Sequence, residues 1–142
     1  MSTRSYIGLR INKKDISFVY CHSDGFINKG VGQMLCEHYQ DRKKVKELIS
    51  LGDISSLGKN INPSKDSNHS FYTPEKDVTV FYHRDRKENL DHNKARKISD
   101  LKYYPDDIVD YVYLFENNQW YSIVYDENQK TPTKILIKDI LQ

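Results

Sequence analysis

Three side chains, Cys21 in Tyr-Cys-His-Ser-Asp-Gly, His38 in Cys-Glu-His-Tyr and His83 in Tyr-His-Arg-Asp-Arg, are the best placed in this sequence to do chemistry. A thiolate and two imidazoles are donors that zinc prefers, and a structural zinc ion takes them from separate elements that it then ties together. The fourth donor is open. His22 qualifies by type, and Asp24 and Asp85 offer oxygen instead. Consecutive strand residues point to opposite faces, so Cys21 and His22 can share an ion only where the strand has ended. Cys36 stands two residues before His38, an offset of roughly 200° on a helix, and reads as packing. Each residue also has an ordinary use, the cysteine as a small hydrophobe and the histidine bonded to a carbonyl. The spacing contains no Cys-x-x-Cys pair. His69 and His92 lie in polar stretches and read as solvated.

Positioning those donors requires elements from different parts of the chain. Ile7, Leu9 and Ile11 alternate with polar neighbours, and alternation resumes from Ile16 to Tyr20 after Asn12-Lys13-Lys14-Asp15, so the pattern predicts an opening hairpin with Cys21 at its end. From Val31 the period lengthens. Val31, Met34, Leu35, His38 and Tyr39 form one helical stripe, which places His38 on the buried face. A second helix begins after the capping residue Asp41 and stops at Gly52. Asp53-Ile-Ser-Ser-Leu-Gly reads as another short helical turn, and 60–77 as a long loop. Val78–His83 reads as an interior strand with His83 at its end. A weakly ordered basic stretch then runs to about Leu101. Residues 111–115 and 120–125 form a hairpin around Asn117-Asn118, and the last ten residues end in a helix. The predicted fold is α+β, a mainly antiparallel sheet with two or three short helices on one side, in a single domain spanning 1–142.

With only 37% apolar residues, the core must draw on the 11 tyrosines, which join apolar area to a polar tip. The net charge of +2 argues against both a strongly basic nucleic-acid protein and an acidic nucleic-acid mimic. No apolar run reaches membrane-span length and the first residues lack a secretory core, so a soluble, cytoplasmic, monomeric protein with reduced cysteines is expected. Tyr111, Tyr113, Phe115, Trp120 and Tyr121 are candidate partner-binding anchors, since tyrosine and tryptophan are favoured at interfaces; some of them must instead fill the core. Asp106, Asp107 and Asp110 form an acidic patch that suits an arginine-rich groove. His83-Arg84-Asp85-Arg86 offers acid-base and anion-binding groups for a metal-dependent hydrolase of nucleotides or nucleic acids, but no glycine-rich phosphate loop or nucleophile elbow accompanies it. Lysines of the second helix and the run from Arg84 to Lys97 give a nucleic-acid-binding alternative, interrupted by acids.

Five segments resemble a family of small phage and prophage proteins: Thr-Arg-Ser-Tyr-Ile-Gly from Thr3, Tyr-Cys-His-x-Asp-Gly from Tyr20, Leu-x-x-His-Tyr from Leu35, Leu-Gly-Asp-Ile-Ser-Ser-Leu-Gly from Leu51, and Tyr-His-Arg-Asp-Arg from Tyr82. The chain departs from that pattern at Ser23, where a bulky aromatic is usual, and at Cys36, where leucine is usual. It also looks like the zinc-containing phage anti-CRISPR inhibitors of type II RNA-guided DNA nucleases. The resemblance implies Cys21, His22, His38 and His83 as ligands of a structural Zn2+. It implies no catalysis and no direct nucleic-acid contact. The implied partner is a surface of the CRISPR type II effector nuclease, whose loading with target DNA would be blocked in the host bacterial cytoplasm. A protein surface fits the near-neutral charge better than a nucleic-acid mimic does.

Overall fold

The computed structural model describes residues 2–103, 109–125 and 131–141. The alternating N-terminal segment forms β1 (Ser5–Arg10) and β2 (Ile16–Cys21), an antiparallel hairpin that pairs Ser5 with Cys21 and Arg10 with Ile16. Helix α1 (Val31–His38) and helix α2 (Arg42–Ser50) follow. The Asp41 side chain caps α2 by accepting from the Lys43 N–H at 3.1 Å. Gly52 closes it at φ +87, in the left-handed region that glycine reaches without strain.

Asp53-Ile-Ser-Ser does not continue as helix. It forms β3 (Ile54–Ser56), drawn out because His22 and Ser23 donate to the carbonyls of Ile54 and Ser55. The expected interior strand is also shorter than its composition suggests. β4 is only Val80–Phe81, it lies at a sheet edge, and Tyr82 already begins α3 (Tyr82–Arg86). His83 is therefore a helical residue. The basic stretch is ordered as α4 (Leu90–Asn93), β5 (Arg96–Ile98) and a 3-10 turn at Leu101–Tyr103. β6 (Tyr111–Glu116) and β7 (Gln119–Val124) form the expected hairpin, with Asn117 and Asn118 at φ 54 and 62. β8 (Thr133–Leu136) and α5 (Ile137–Ile140) end the described chain.

The α+β class holds, and the sheet is mainly antiparallel as expected, five of its named strand pairs being antiparallel and two parallel. Its order is β4-β3-β2-β1-β6-β7-β8, with β5 beside the first half of β2. The terminal hairpins are antiparallel within themselves but meet through β1 and β6 in parallel, Ser5 opposite Tyr111 and Leu9 opposite Phe115. β2 and β3 are also parallel. Among the described residues there are five α-helices, more than the two or three expected.

Both faces of the sheet are covered. Ile7, Leu9, Val19, Tyr113, Phe115 and Trp120 pack on one face with Leu35, Val45, Leu48 and Ile137 from the helices. Tyr6, Ile16, Phe18, Val112, Leu114 and Ile123 form a second apolar cluster with Leu101. Two-sided burial explains why the strands carry so many consecutive apolar residues. No helix among the described residues is long and apolar enough to cross a membrane.

Candidate functional site

Cys21 ends β2 as its spacing predicts, but it is fully buried and its Sγ lies 3.7 Å from the Ser23 carbonyl. Burial pushes its thiol up to about 12, outweighing the contacts with Ser23 and Ser5 that lower it. That is the setting of a buried, protonated thiol. Next to it, both His22 ring nitrogens are engaged, Nδ1 with the Tyr20 hydroxyl at 2.8 Å and Nε2 with the Ser2 hydroxyl at 3.0 Å.

His38 is exposed on α1 beside Glu37, not on the buried face. The buried arc of that helix runs through Val31, Gly32 and Leu35, and at 100° per residue His38 stands roughly 70° from its centre. His83 Nδ1 donates to the Glu88 carbonyl at 2.7 Å, which fastens the end of α3. Among the described residues no three histidine, cysteine, aspartate or glutamate side chains are placed to hold one ion. The four side chains assigned to zinc thus do not fit a tetrahedral cage in this arrangement. Asp24 is exposed at the turn after β2, and Asp85 is committed elsewhere.

The hairpin anchors divide by face. Tyr113, Phe115 and Trp120 are core residues, a correction to their reading as partner-binding groups. Strand alternation turns all three toward the helices. There the Tyr113 hydroxyl donates to the Gly25 carbonyl, and Trp120 Nε1 donates to the Tyr39 carbonyl at 2.8 Å. Tyr111 is half-buried and stacked on Tyr113, while Tyr121 is half-buried on the other face. Of the acidic patch, Asp106 and Asp107 lie outside the described residues; the Asp110 carboxylate accepts from the Arg4 N–H at 3.1 Å.

The residues of Tyr-His-Arg-Asp-Arg build a scaffold. Asp85 accepts from the Phe81 N–H at 2.8 Å and from Arg84 at two atoms, while Arg84 also donates to the carbonyls of Ile61 and Thr79. His69, expected in solvent, is 2% exposed at its side chain. Its Nδ1 accepts from the Glu75 N–H at 2.9 Å and its Nε2 stands 3.3 Å from the Asp85 carboxylate. Nδ1 as acceptor leaves the proton on Nε2, facing Asp85. Burial alone would raise the Asp85 carboxyl, but Arg84, the Phe81 N–H and His69 together hold it below its ordinary value. The cluster pins the 60–77 loop to α3.

On the outside of that pinned loop lies an aromatic surface that the sequence reading missed. The rings of Phe71 and Tyr82 lie 5.8 Å apart, and the Arg86 guanidinium sits 4.6 Å from the first centroid and 4.8 Å from the second. Tyr72 packs edge-on to Phe71 at 5.2 Å yet remains 80% exposed. Arg86 is also paired with Glu88, so the stack is held before any partner arrives. Its signal in the sequence was Phe71-Tyr72 standing in an otherwise polar loop before Pro74.

Comparison with protein-family models, with curated proteins and with solved structures returns no match to this chain.

Proposed function

We propose that this chain is a non-catalytic binding protein that inhibits a type II CRISPR effector nuclease by occupying a protein surface needed for target DNA. The observation that carries the binding half of this reading is the Phe71–Tyr82–Arg86 stack with Tyr72 80% exposed beside it. An arginine already held between two rings loses little side-chain freedom on docking, and tyrosine and arginine dominate binding energy at protein interfaces. The resemblance of five segments to phage and prophage proteins suggests the inhibitory half and the identity of the partner. The surface around Tyr72 replaces the C-terminal hairpin as the contact, because the hairpin's largest rings support the core.

The hydrolase alternative is less well supported. His83, Arg84 and Asp85 are each engaged within the fold, and using them as acid, base or anion clamp would dismantle the attachment of the 60–77 loop. Nucleic-acid binding through the second helix rests on exposed Lys43 and Lys46, without aromatic rings beside them for base stacking.

The test mixes the purified chain with the nuclease–guide complex and follows co-elution and cleavage of target DNA. Inhibition at stoichiometric protein is expected. Tyr72→Ala should weaken it by at least about tenfold, in line with an interface anchor, while leaving the melting temperature unchanged. Undiminished cleavage at saturating protein overturns the reading. The implied structural zinc has its own test: if Zn2+ holds the fold, metal analysis returns one ion per chain and chelation lowers the melting temperature. The bonds made by Cys21, His22 and His83 lead us to expect neither.

A further inference from the structure

The loop of the first hairpin, the start of α2 and the Asn117-Asn118 turn surround an open cleft of about 610 Å³. Arg10, Lys13 and Arg42 bring three positive charges to its wall, against the single carboxylate of Glu116. That carboxylate is already neutralised from two sides, by Arg10 Nε at 2.8 Å and by Lys134. Arg42 is fixed by donating Nη2 to the carbonyls of Arg10 and Ile11, at 3.0 and 3.3 Å. Its Nε and Nη1 take no part in those bonds. The Asn12 side-chain Oδ1 shapes the loop by accepting from the N–H groups of Lys14 and Asp15, and Lys13 stands exposed at the rim. Opposite it, Asn117 and Asn118 present their exposed amides from a turn whose two positive φ values set their direction.

We propose that this cleft binds a compact phosphate-bearing ligand of about mononucleotide size. Fixed arginines beside a mobile lysine are a recurrent arrangement for phosphate oxygens, the guanidinium giving directed paired bonds and the ammonium a point charge. The volume falls in the range of small-ligand sites. Asparagine amides and the part-exposed Ile11 side chain provide polar and apolar contacts for the group that carries the phosphate. An extended nucleic-acid strand would need a longer positive track. The inference is independent of the inhibitor reading, which concerns the Tyr72 surface.

The experiment titrates the full chain, at low salt, with pyrophosphate, with AMP and with a short single-stranded DNA oligonucleotide while backbone amides are followed by NMR. Pyrophosphate and AMP should saturably shift the amides of Asn12, Lys13, Asn117 and Asn118. Lys13→Glu should weaken both by roughly tenfold, the effect of losing one charge-assisted contact and adding a repulsive one. Arg42→Gln should weaken them further; if it fails to fold, Lys13→Glu still decides, because that side chain is exposed and supports no other element. Absence of saturable shifts, shifts indifferent to Lys13→Glu, or binding of the oligonucleotide alone would each overturn the proposal.

Discussion

At the scale of single residues, Asp53 shows how a buried carboxylate can replace missing backbone. β3 and β5 share the same edge of β2, and between them the Tyr20 N–H would have no partner. Asp53 Oδ1 accepts it at 2.9 Å, while Arg96 grips both carboxylate oxygens from β5 at 3.2 and 3.1 Å. Asp53→Ala should destabilise by about 2 kcal/mol, since a buried N–H loses its acceptor and an arginine its partner. Arg96→Ala should cost less than about 1 kcal/mol, because Arg96 is 45% exposed and its pair is solvent-screened. Urea denaturation of both variants checks the ratio; equal losses would mean that the ion pair, not the bond to Tyr20, matters. Cys21 gives a second test. Its folded-state value of about 12 lies above the ordinary 9.0 of a thiol. Between those values the unfolded chain has lost the proton that the folded chain keeps, so stability falls as pH rises above about 9. Alkylation of native protein should therefore spare Cys21 and reach the half-buried Cys36 first. Residue type was legible for these groups, but destination was not. Cys21 and His83 stood where a ligand set would require, yet backbone carbonyls two and five residues on, which no periodicity aims at them, took up both side chains. His69 looked solvated because its partners Glu75 and Asp85 lie in a loop turn and a helix that no periodicity announces.

At the scale of elements, local pattern was informative wherever local forces decide. The two terminal hairpins, both early helices, the Asp41 cap and the Gly52 stop all read from period and turn chemistry, because each forms from neighbours in sequence. Gly52→Ala tests that stop. A Cβ there would come within 2.5 Å of the Asn93 carbonyl oxygen, at a φ of +87 that alanine rarely adopts. The same junction carries the bond from the Asp53 N–H to Asn93 O at 2.7 Å. A loss of about 2 kcal/mol or more in chemical denaturation is expected, from the strained φ and the displaced backbone together. The Asn117-Asn118 turn runs the opposite way. Both residues are left-handed, and glycine reaches that region at no steric cost, so Asn118→Gly should raise stability by about 0.5 kcal/mol. A fall in melting temperature would mean that the Asn118 side chain holds the turn. Residues 53–56 were misread for a reason of the same kind: Ile-Ser-Ser has no strong local preference, and only the unpaired edge of β2 extends it. Val78–His83 erred in reverse, its β-rich composition outrun by the Asp85 carboxylate, which accepts the Phe81 N–H and starts a helix early.

For the whole molecule, the decisive contact is the parallel register of β1 with β6, across more than a hundred residues of chain. No sequence period reveals such a pairing, which is why the parallel seam inside a mainly antiparallel sheet was not legible. Its consequence is that the N-terminal hairpin completes neither core by itself. Ile7 and Leu9 pack in one cluster with Tyr113, Phe115 and Trp120; Tyr6, Ile16 and Phe18 pack in the other with Val112, Leu114 and Ile123. Removing everything after residue 103 would expose the whole β1 edge, take Tyr113, Phe115, Trp120 and Ile137 from one cluster and Val112, Leu114 and Ile123 from the other, and strip α1 of its packing on β7 and α5. Of the five strands that remain, three have only two or three residues, and β1 becomes an edge strand. A fragment of residues 1–103 should therefore lack dispersed amide NMR signals and a cooperative melt, whereas the full chain should unfold in one transition by both far-ultraviolet circular dichroism and Trp120 fluorescence. Adding residues 109–142 as a separate peptide should restore dispersion if the parallel seam is the organising contact. A fragment that melts cooperatively alone would show instead that the first hairpin and its helices form a self-sufficient unit, with the C-terminal strands docked onto it.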